Sequence, residues 1–312
     1  PELIARFAAD LARIGASTGR LGVAVSGGPD SLALLLLAAA ARLNDVEAAS
    51  VDHSLRPGSA AEAAMVAEVC RRIGVAHITL KVEVAPGNLQ QEARMARYRA
   101  LAEWQESRGL DALLTAHHAD DQTETLLMRL NRGSGLGGLV GIRARGRNPA
   151  SGATVLRPLL GWRKAELARI VRECGFEPVA DPSNLDDRFD RVRIRKALAQ
   201  ADWLDPAALA QSAAWLAEAD AALAQFAAAE WDARASVAAG AIAYRPLSGT
   251  PREIRLRVLS RAIEATGGRL PSRSQVADLL DALERGEGGN LAGVLAQVEQ
   301  GAWVLRPEPP RR

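Results

Sequence analysis

The sequence predicts an α/β chain in two parts: a parallel sheet with helices on both faces over residues 1–200, and a smaller, mainly helical domain over residues 201–312. Three observations predict it. Through the first part, short apolar runs alternate with stretches of helical pattern about 12 to 20 residues long, the pattern of parallel strands joined by crossover helices. Three apolar runs end in polar clusters, SGGPDS, DHSLR and AHHADDQ, and an open parallel sheet presents ligand sites beyond the carboxyl ends of its strands. Near Ala201, at "ADWLDP", the composition shifts to an alanine-rich helical run. With 312 residues, 48% of them apolar, the chain is long for one core and has apolar content for two.

In order, the expected strands are Leu21–Val25, Ala48–Val51, Ile78–Val82, Ala112–Thr115 and Val155–Leu156. Helical patterns such as Glu62–Ile73 and Gln90–Arg108 lie between them, which makes the sheet Rossmann-like. In the second part the alanine-rich helix runs to about Val237. Short strand-like pieces follow from Ile242, with helices near Pro251–Thr266 and Ser272–Glu284 and a closing hairpin-like stretch to Val304. The tail PEPPRR is expected to fray.

Whole-chain charge points to no partner, because 39 basic residues nearly balance 37 acidic ones. Cys70 and Cys174 are the only cysteines, too few for a four-thiolate zinc or iron–sulfur site within the chain. The N-terminus has no basic-then-apolar signal pattern, and the longest apolar run, Leu32 to Ala41, is too short to span a bilayer. A cytoplasmic enzyme is expected, with no membrane partner. The chain begins at Pro1 rather than methionine, so a trimmed N-terminus is expected.

The stretch VAVSGGPDSLALLLL, residues 23–37, reads as strand, glycine-rich turn and helix, a phosphate-binding layout. It is not a Walker A loop, whose G-x-x-x-x-G-K-S/T needs a lysine; no lysine occurs before Lys81. It is not the dinucleotide fingerprint either. A literal G-x-G-x-x-G at Gly133–Gly138 follows a helix rather than a strand, and is expected to be a flexible substrate loop. Ser26, Gly27, Gly28, Pro29, Asp30 and Ser31 form S-G-G-x-D-S, which resembles the PP-loop of the ATP pyrophosphatase superfamily. That resemblance implies cleavage of ATP between its α and β phosphates. Backbone donors and the Ser26 and Ser31 hydroxyls suit pyrophosphate, and Asp30, an anion beside anions, is expected to act through Mg²⁺.

In Thr115–Gly141, projected as a helix at about 100° per residue, His117, Asp121 and Glu124 fall within roughly 60° of one another, with Leu126, Leu127 and Leu130 on the other side. An imidazole and two carboxylates at the adenylation rim suit Mg²⁺ or a cationic substrate. The segment resembles tRNA(Ile)-lysidine synthetase, in which AHHxDDQxET followed by RLxRGSGLxGLxG is distinctive. VDHSLRPGS at 51–59, QEARMARYRAL at 91–101, RPLLGWRKAEL at 157–167 and DPSNLDDRFDRVRIR at 181–195 follow the family order, and GGNLAGV at 288–294 resembles its first C-terminal domain.

The resemblance implies that residues 1–200 adenylate C2 of the wobble cytidine of a CAU-anticodon isoleucine tRNA with ATP and Mg²⁺, and that the ε-amine of free L-lysine then displaces AMP. Residues 201–312 would contact tRNA. Asp121 and Glu124 suit the lysine ammonium and proton removal, Arg97 its carboxylate or the adenylated intermediate, and His117 the phosphate or the base. Asp52 is expected near the ribose; His53 is left structural, and Asp120 orients metal or caps the helix. For RNA, five arginines and no acid lie between Arg129 and Arg147, so Arg132, Arg143 and Arg145 are candidate contacts. Arg191, Arg193 and Arg195 form a second group, near Arg188 and Lys196 but mixed with Asp186, Asp187 and Asp190. The family often has asparagine where Val192 stands. Longer members carry a second C-terminal domain, so this chain is expected to be a short form or a truncated one. A homodimer is an open partner.

Three other functions compete. A tRNA cytidine thiolase typically uses paired cysteines, which are missing. An amidotransferase of the GMP synthetase kind has no need of an arginine-rich glycine loop. A non-catalytic tRNA-binding module has no need of an intact SGGPDS beside His117, Asp121 and Glu124.

Overall fold

The computed structural model describes residues 1–53, 59–85, 87–179, 190–201, 203–238, 240–269 and 271–309. Its first compact unit comprises 1–134 and 138–214, its second 135–137 and 215–312. In chain order, residues 1–199 form α1 (Glu2–Arg13), β1 (Leu21–Ala24), α2 (Pro29–Arg42), β2 (Val46–Asp52), α3 (Ser59–Ile73), β3 (Ala76–Lys81), α4 (Leu89–Ser107), β4 (Ala112–Leu114), α5 (Ala119–Asn131), the single turn α6 (Leu136–Leu139), β5 (Arg145–Arg147), β6 (Thr154–Leu156), α7 (Lys164–Glu173) and α8 (Asp190–Ala199). Helix α9 spans Pro206–Arg234.

The sheet order is β3-β2-β1-β4-β6-β5, parallel throughout except for the edge strand β5. Both faces are buried, as the apolar strands require. Side chains alternate between faces along a strand. Leu21, Val23, Ala48, Ala112 and Leu114 therefore share one core with α1, α2, α3 and α7. Ala49, Leu113 and Val155 meet Leu101 and Trp104 of α4 on the other face. β1 lies between β2 and β4, pairing Leu21 with both Val46 and Ala112. The chain moves outward from β1 in opposite directions there, which makes the β1–β4 gap the switch point where such sheets bind ligands.

The second unit packs α10 (Arg252–Ala265) and α11 (Arg273–Glu284) on an antiparallel sheet, with β7 (Ala235–Ala238), β8 (Ala241–Tyr244), β9 (Gly289–Leu291), β10 (Val294–Glu299) and β11 (Ala302–Pro307) in the order β7-β8-β11-β10-β9. Its core includes Leu259, Ile263, Leu280 and Trp303, the last edge-on to Tyr244 with ring centroids 5.4 Å apart. The closing hairpin is thus part of a five-stranded sheet. The alanine-rich helix also stops at Arg234, earlier than propensity suggests, because 235–238 pair with β8. β5, with the sequence RGR, carries no apolar alternation and was not expected as a strand. Among the described residues no helix is long and apolar enough to cross a membrane.

Gly22 on β1 is where α4 comes closest to the sheet. A Cβ there would lie 2.7 Å from Trp104 Cζ3 and 2.9 Å from Leu110 Cδ1. Gly22→Ala is expected to lower stability by about 1–3 kcal/mol through overpacking, read as a lower denaturant midpoint at unchanged slope. An unchanged midpoint would contradict this packing.

Candidate active site

Turn 26–31 joins β1 to α2. Gly27 has φ +84°, a left-handed conformation that glycine adopts freely, and a Cβ there would come within 3.1 Å of Met65 Cε. Ser31 closes the turn: its hydroxyl accepts the Ser26 N–H at 3.1 Å and donates to the Gly28 carbonyl at 3.0 Å. Ser31 is therefore committed inside the loop, while Ser26 is exposed on the rim. Pro29 opens α2 with φ preset and no N–H to lose. Asp30 has one oxygen, Oδ1, buried without a hydrogen-bond partner; Oδ2 lies 3.5 Å from His118 Nε2.

Directly beside this turn, β4 leads through 115–118 into α5. His118 is extended, with φ −129°, and caps the helix. Its Nδ1 accepts the Asp121 N–H at 3.4 Å, and Asp121 returns a bond from the His118 N–H at 3.1 Å. The helix therefore begins at Ala119, and His117 stands before it, off the helical face that Asp121 and Glu124 share. It is His118, 4% exposed, that joins the carboxylates: Asp30 and Asp121 at 3.5 Å, Asp120 at 3.7 Å. Burial opposes its charge, but hydrogen bonding and attraction from these three acids win and hold its pKa above the usual value. Asp120 caps α7 by accepting the Lys164 N–H at 2.9 Å. Burial raises its pKa, but that amide and Arg163 outweigh it and hold the carboxyl low.

His117 behaves in the opposite way. Burial pulls it down to about 4; Asp121 opposes, and Arg157, Arg191 and Arg94 reinforce. Its Nδ1 lies 3.0 Å from Thr115 Oγ1, so a neutral ring is oriented at the rim. Glu124 is buried, and Arg195 of α8 forks onto it at 2.7 and 3.2 Å. Arg191 donates to Thr125 at 3.3 Å, which lays α8 along α5, with Val192 buried. Arg97 is half-buried, and no carboxylate among the described residues pairs with it; burial lowers its pKa. Asp52 is buried at the carboxyl end of β2.

The structure thus gathers Asp30, His117, His118, Asp121, Glu124, Arg191 and Arg195 at the switch point. Arg132, Arg143 and Arg193 are exposed. Arg145 is not gathered there: it reaches the Ile14 carbonyl at 3.4 Å and lines a cleft of about 220 Å³ with Asp111 and Leu21, at the starts of β4 and β1. The segment after Gly133–Gly138 is tied to α5, with Gln122 bonding Val140 and Ile142 and Arg129 bonding Gly138. Residues 54–58 and 180–189, including Asp186, Asp187 and Arg188, lie outside the described residues. The residues not foreseen are His118, Arg94, Arg157 and Tyr98. The signal for the last three was the arginine spacing within QEARMARY and the arginine that opens RPLL directly after a strand.

A family model described as a PP-loop domain matches residues 3–202. A tRNA(Ile)-lysidine synthase of Novosphingobium aromaticivorans is 47% identical over 98% of this chain and 94% of its own length. The chain belongs to the tRNA(Ile)-lysidine synthase family. Another member, from Zymomonas mobilis, is 41% identical over 95% of this chain and 90% of its own. Among solved structures, a U34-tRNA thiolase from Methanococcus maripaludis with its iron–sulfur cluster aligns with TM-score 0.55 at 15% identity, over 70% of this chain and 78% of its own, a likeness of fold alone. The family's PP-loop domain uses ATP, and this chain carries it. Its cysteines do not suit thiolase chemistry. Cys70 is buried, its thiol pushed up to about 11 by burial, and Cys174 ends α7.

The four histidines should separate in an NMR titration. His53, His77 and His117 are all lowered, chiefly by burial, and His118 alone is raised. The stabilisation from charged His118 is fully present below about pH 6.5, its unfolded value, and is lost as pH rises through its higher folded value. His118→Gln should remove that pH dependence. A His117 ring titrating near 6.5 would contradict the geometry.

Proposed function

We propose that this chain makes lysidine, using ATP to activate the wobble cytidine of a CAU-anticodon isoleucine tRNA and L-lysine as nucleophile. The observation that carries this is the meeting of turn 26–31 with the His117–Glu124 segment at one switch point, in a chain of this family. In the first step the cytidine O2 attacks the α-phosphorus and pyrophosphate leaves. In the second, the lysine ε-amine attacks C2, loses a proton, and AMP departs with the former O2. The reaction is placed in the cytoplasm.

The turn amides and Ser26 hold the leaving pyrophosphate, while Ser31 keeps the turn in shape. Among the described residues no three metal-ligating side chains cluster, but Asp30 Oδ1, buried and unpartnered, fits the way Mg²⁺ is held by one carboxylate plus phosphate oxygens. Bound there, Mg²⁺ would neutralise phosphate charge. Neutral His117 offers a hydrogen bond to base or phosphate without adding charge. Glu124 is occupied by Arg195, so Asp121 receives the lysine ammonium and takes the proton lost on attack. Arg97 takes the lysine carboxylate, Asp52 stands at the ribose, and Arg132, Arg143, Arg191 and Arg193 contact tRNA. The unit from 215 onward adds tRNA contacts.

Labelled lysine should enter CAU tRNA(Ile) only with ATP, and Asp30→Ala should abolish this. Asp121→Asn keeps a helix-capping oxygen and should raise the lysine KM about tenfold or more, the loss of one charge-assisted bond. Wild-type protein that releases AMP yet incorporates no lysine would overturn the reading of the nucleophile.

A further inference from the structure

Three arginines converge on one buried tyrosine at the rim, on the face that α4 covers. Tyr98 is 4% exposed, and its carbonyl accepts Asn148 Nδ2 at 2.8 Å, which ties it to the β5–β6 hairpin. Arg94 Nη2 donates to the Tyr98 hydroxyl at 3.3 Å, with its guanidinium 4.9 Å from the ring centroid. Arg97 lies 5.9 Å from the same centroid. Arg157, the first residue after β6, lies close enough to Tyr98 to interact with it electrostatically. Its Nη1 donates to the Arg143 carbonyl at 2.9 Å, and its Nε is buried without a partner.

Among the described residues no carboxylate neutralises any of the three. Burial, and then repulsion from Arg94, pulls both Arg97 and Arg157 below the usual arginine value. Like charges held together without a counter-ion cost stability, and an arginine fork matches the paired oxygens of a phosphate. The ATP phosphates are accounted for elsewhere: their turn opens α2, which packs on the opposite face of the sheet from α4. The reaction proposed above gives one guanidinium, that of Arg97, to the lysine carboxylate. Two remain.

We propose that Arg94 and Arg157, held around Tyr98, form an oxyanion site for a backbone phosphate of the bound RNA, next to the reacting cytidine. The site would fix the strand so that the base reaches His117. This rests on the reading above only in taking RNA as the substrate.

The test is binding of CAU tRNA(Ile) by full-length Arg94→Met and Arg157→Met over a range of salt, with KM values for lysine and ATP. Arg94 is exposed, so its variant should keep the wild-type melting point even if Arg157→Met folds poorly. The expected result is binding about tenfold weaker, with the slope of log affinity against log salt reduced by about one for each arginine, and both KM values unchanged. Tyr98→Phe should give a smaller loss. Wild-type affinity and slope in Arg94→Met would overturn the proposal. So would a raised lysine KM with tRNA binding intact, which assigns the anion to the carboxylate, or a raised ATP KM alone. If wild-type protein binds the tRNA normally but incorporates no lysine, the proposed reaction fails while this site stands.

Discussion

The parallel pairing of β1 with β4 is the constraint on which the rest of the site depends. Leu21, Gly22 and Val23 run beside Ala112, Leu113 and Leu114, so the two chains leave the sheet side by side. One becomes the turn to α2 and the other the His117–His118 approach to α5. His118 then spans the gap, facing Asp30 at the start of one helix and Asp121 at the start of the other. Gly22 in the middle of this pairing lets Trp104 lie directly on the strand. A packing detail in the middle of the sheet thus sets the positions of ionisable groups at its edge.

The charges at that edge fall into two groups, one of acids partly answered by Arg163 and Arg195, the other of arginines alone. Asp30, Asp121 and Glu124 come from α2 and α5; Arg94, Arg97 and Arg157 come from α4 and the strand end of β6. Between them stand two adjacent histidines with opposite character, one whose pKa burial pulls down to about 4 and one whose pKa three acids raise. In the proposed reaction this division has a use. The acid side suits a cation that must give up a proton, and the basic side suits the anionic groups of RNA and amino acid. A neutral ring between them can contact the base without biasing either side.

Much of this was legible in the sequence. The strand positions, the SGGPDS turn and the polar clusters after three strands are local patterns of short apolar runs and of turn chemistry, and neither needs tertiary context. The failures were also physical. A helical projection from His117 assumed that the helix was already under way, whereas a histidine can cap a helix and delay its start to Ala119. Arg195 read as a candidate RNA contact because its partner, Glu124, is 71 residues away in sequence. Arg94 and Arg157 gain meaning only when the fold brings both to Tyr98. The helix end at Arg234 was set by pairing with β8, a contact that alanine propensity does not report.

The central claim is that the two loops form one site in which the cytidine oxygen is activated by adenylation and then replaced by lysine. The most direct measurement uses CAU tRNA(Ile) carrying oxygen-18 at O2 of the wobble cytidine, with ATP, lysine and the full chain, and mass analysis of the AMP released. The heavy oxygen is expected in the AMP phosphate as lysine enters the tRNA. Lysine incorporation with unlabelled AMP would contradict it.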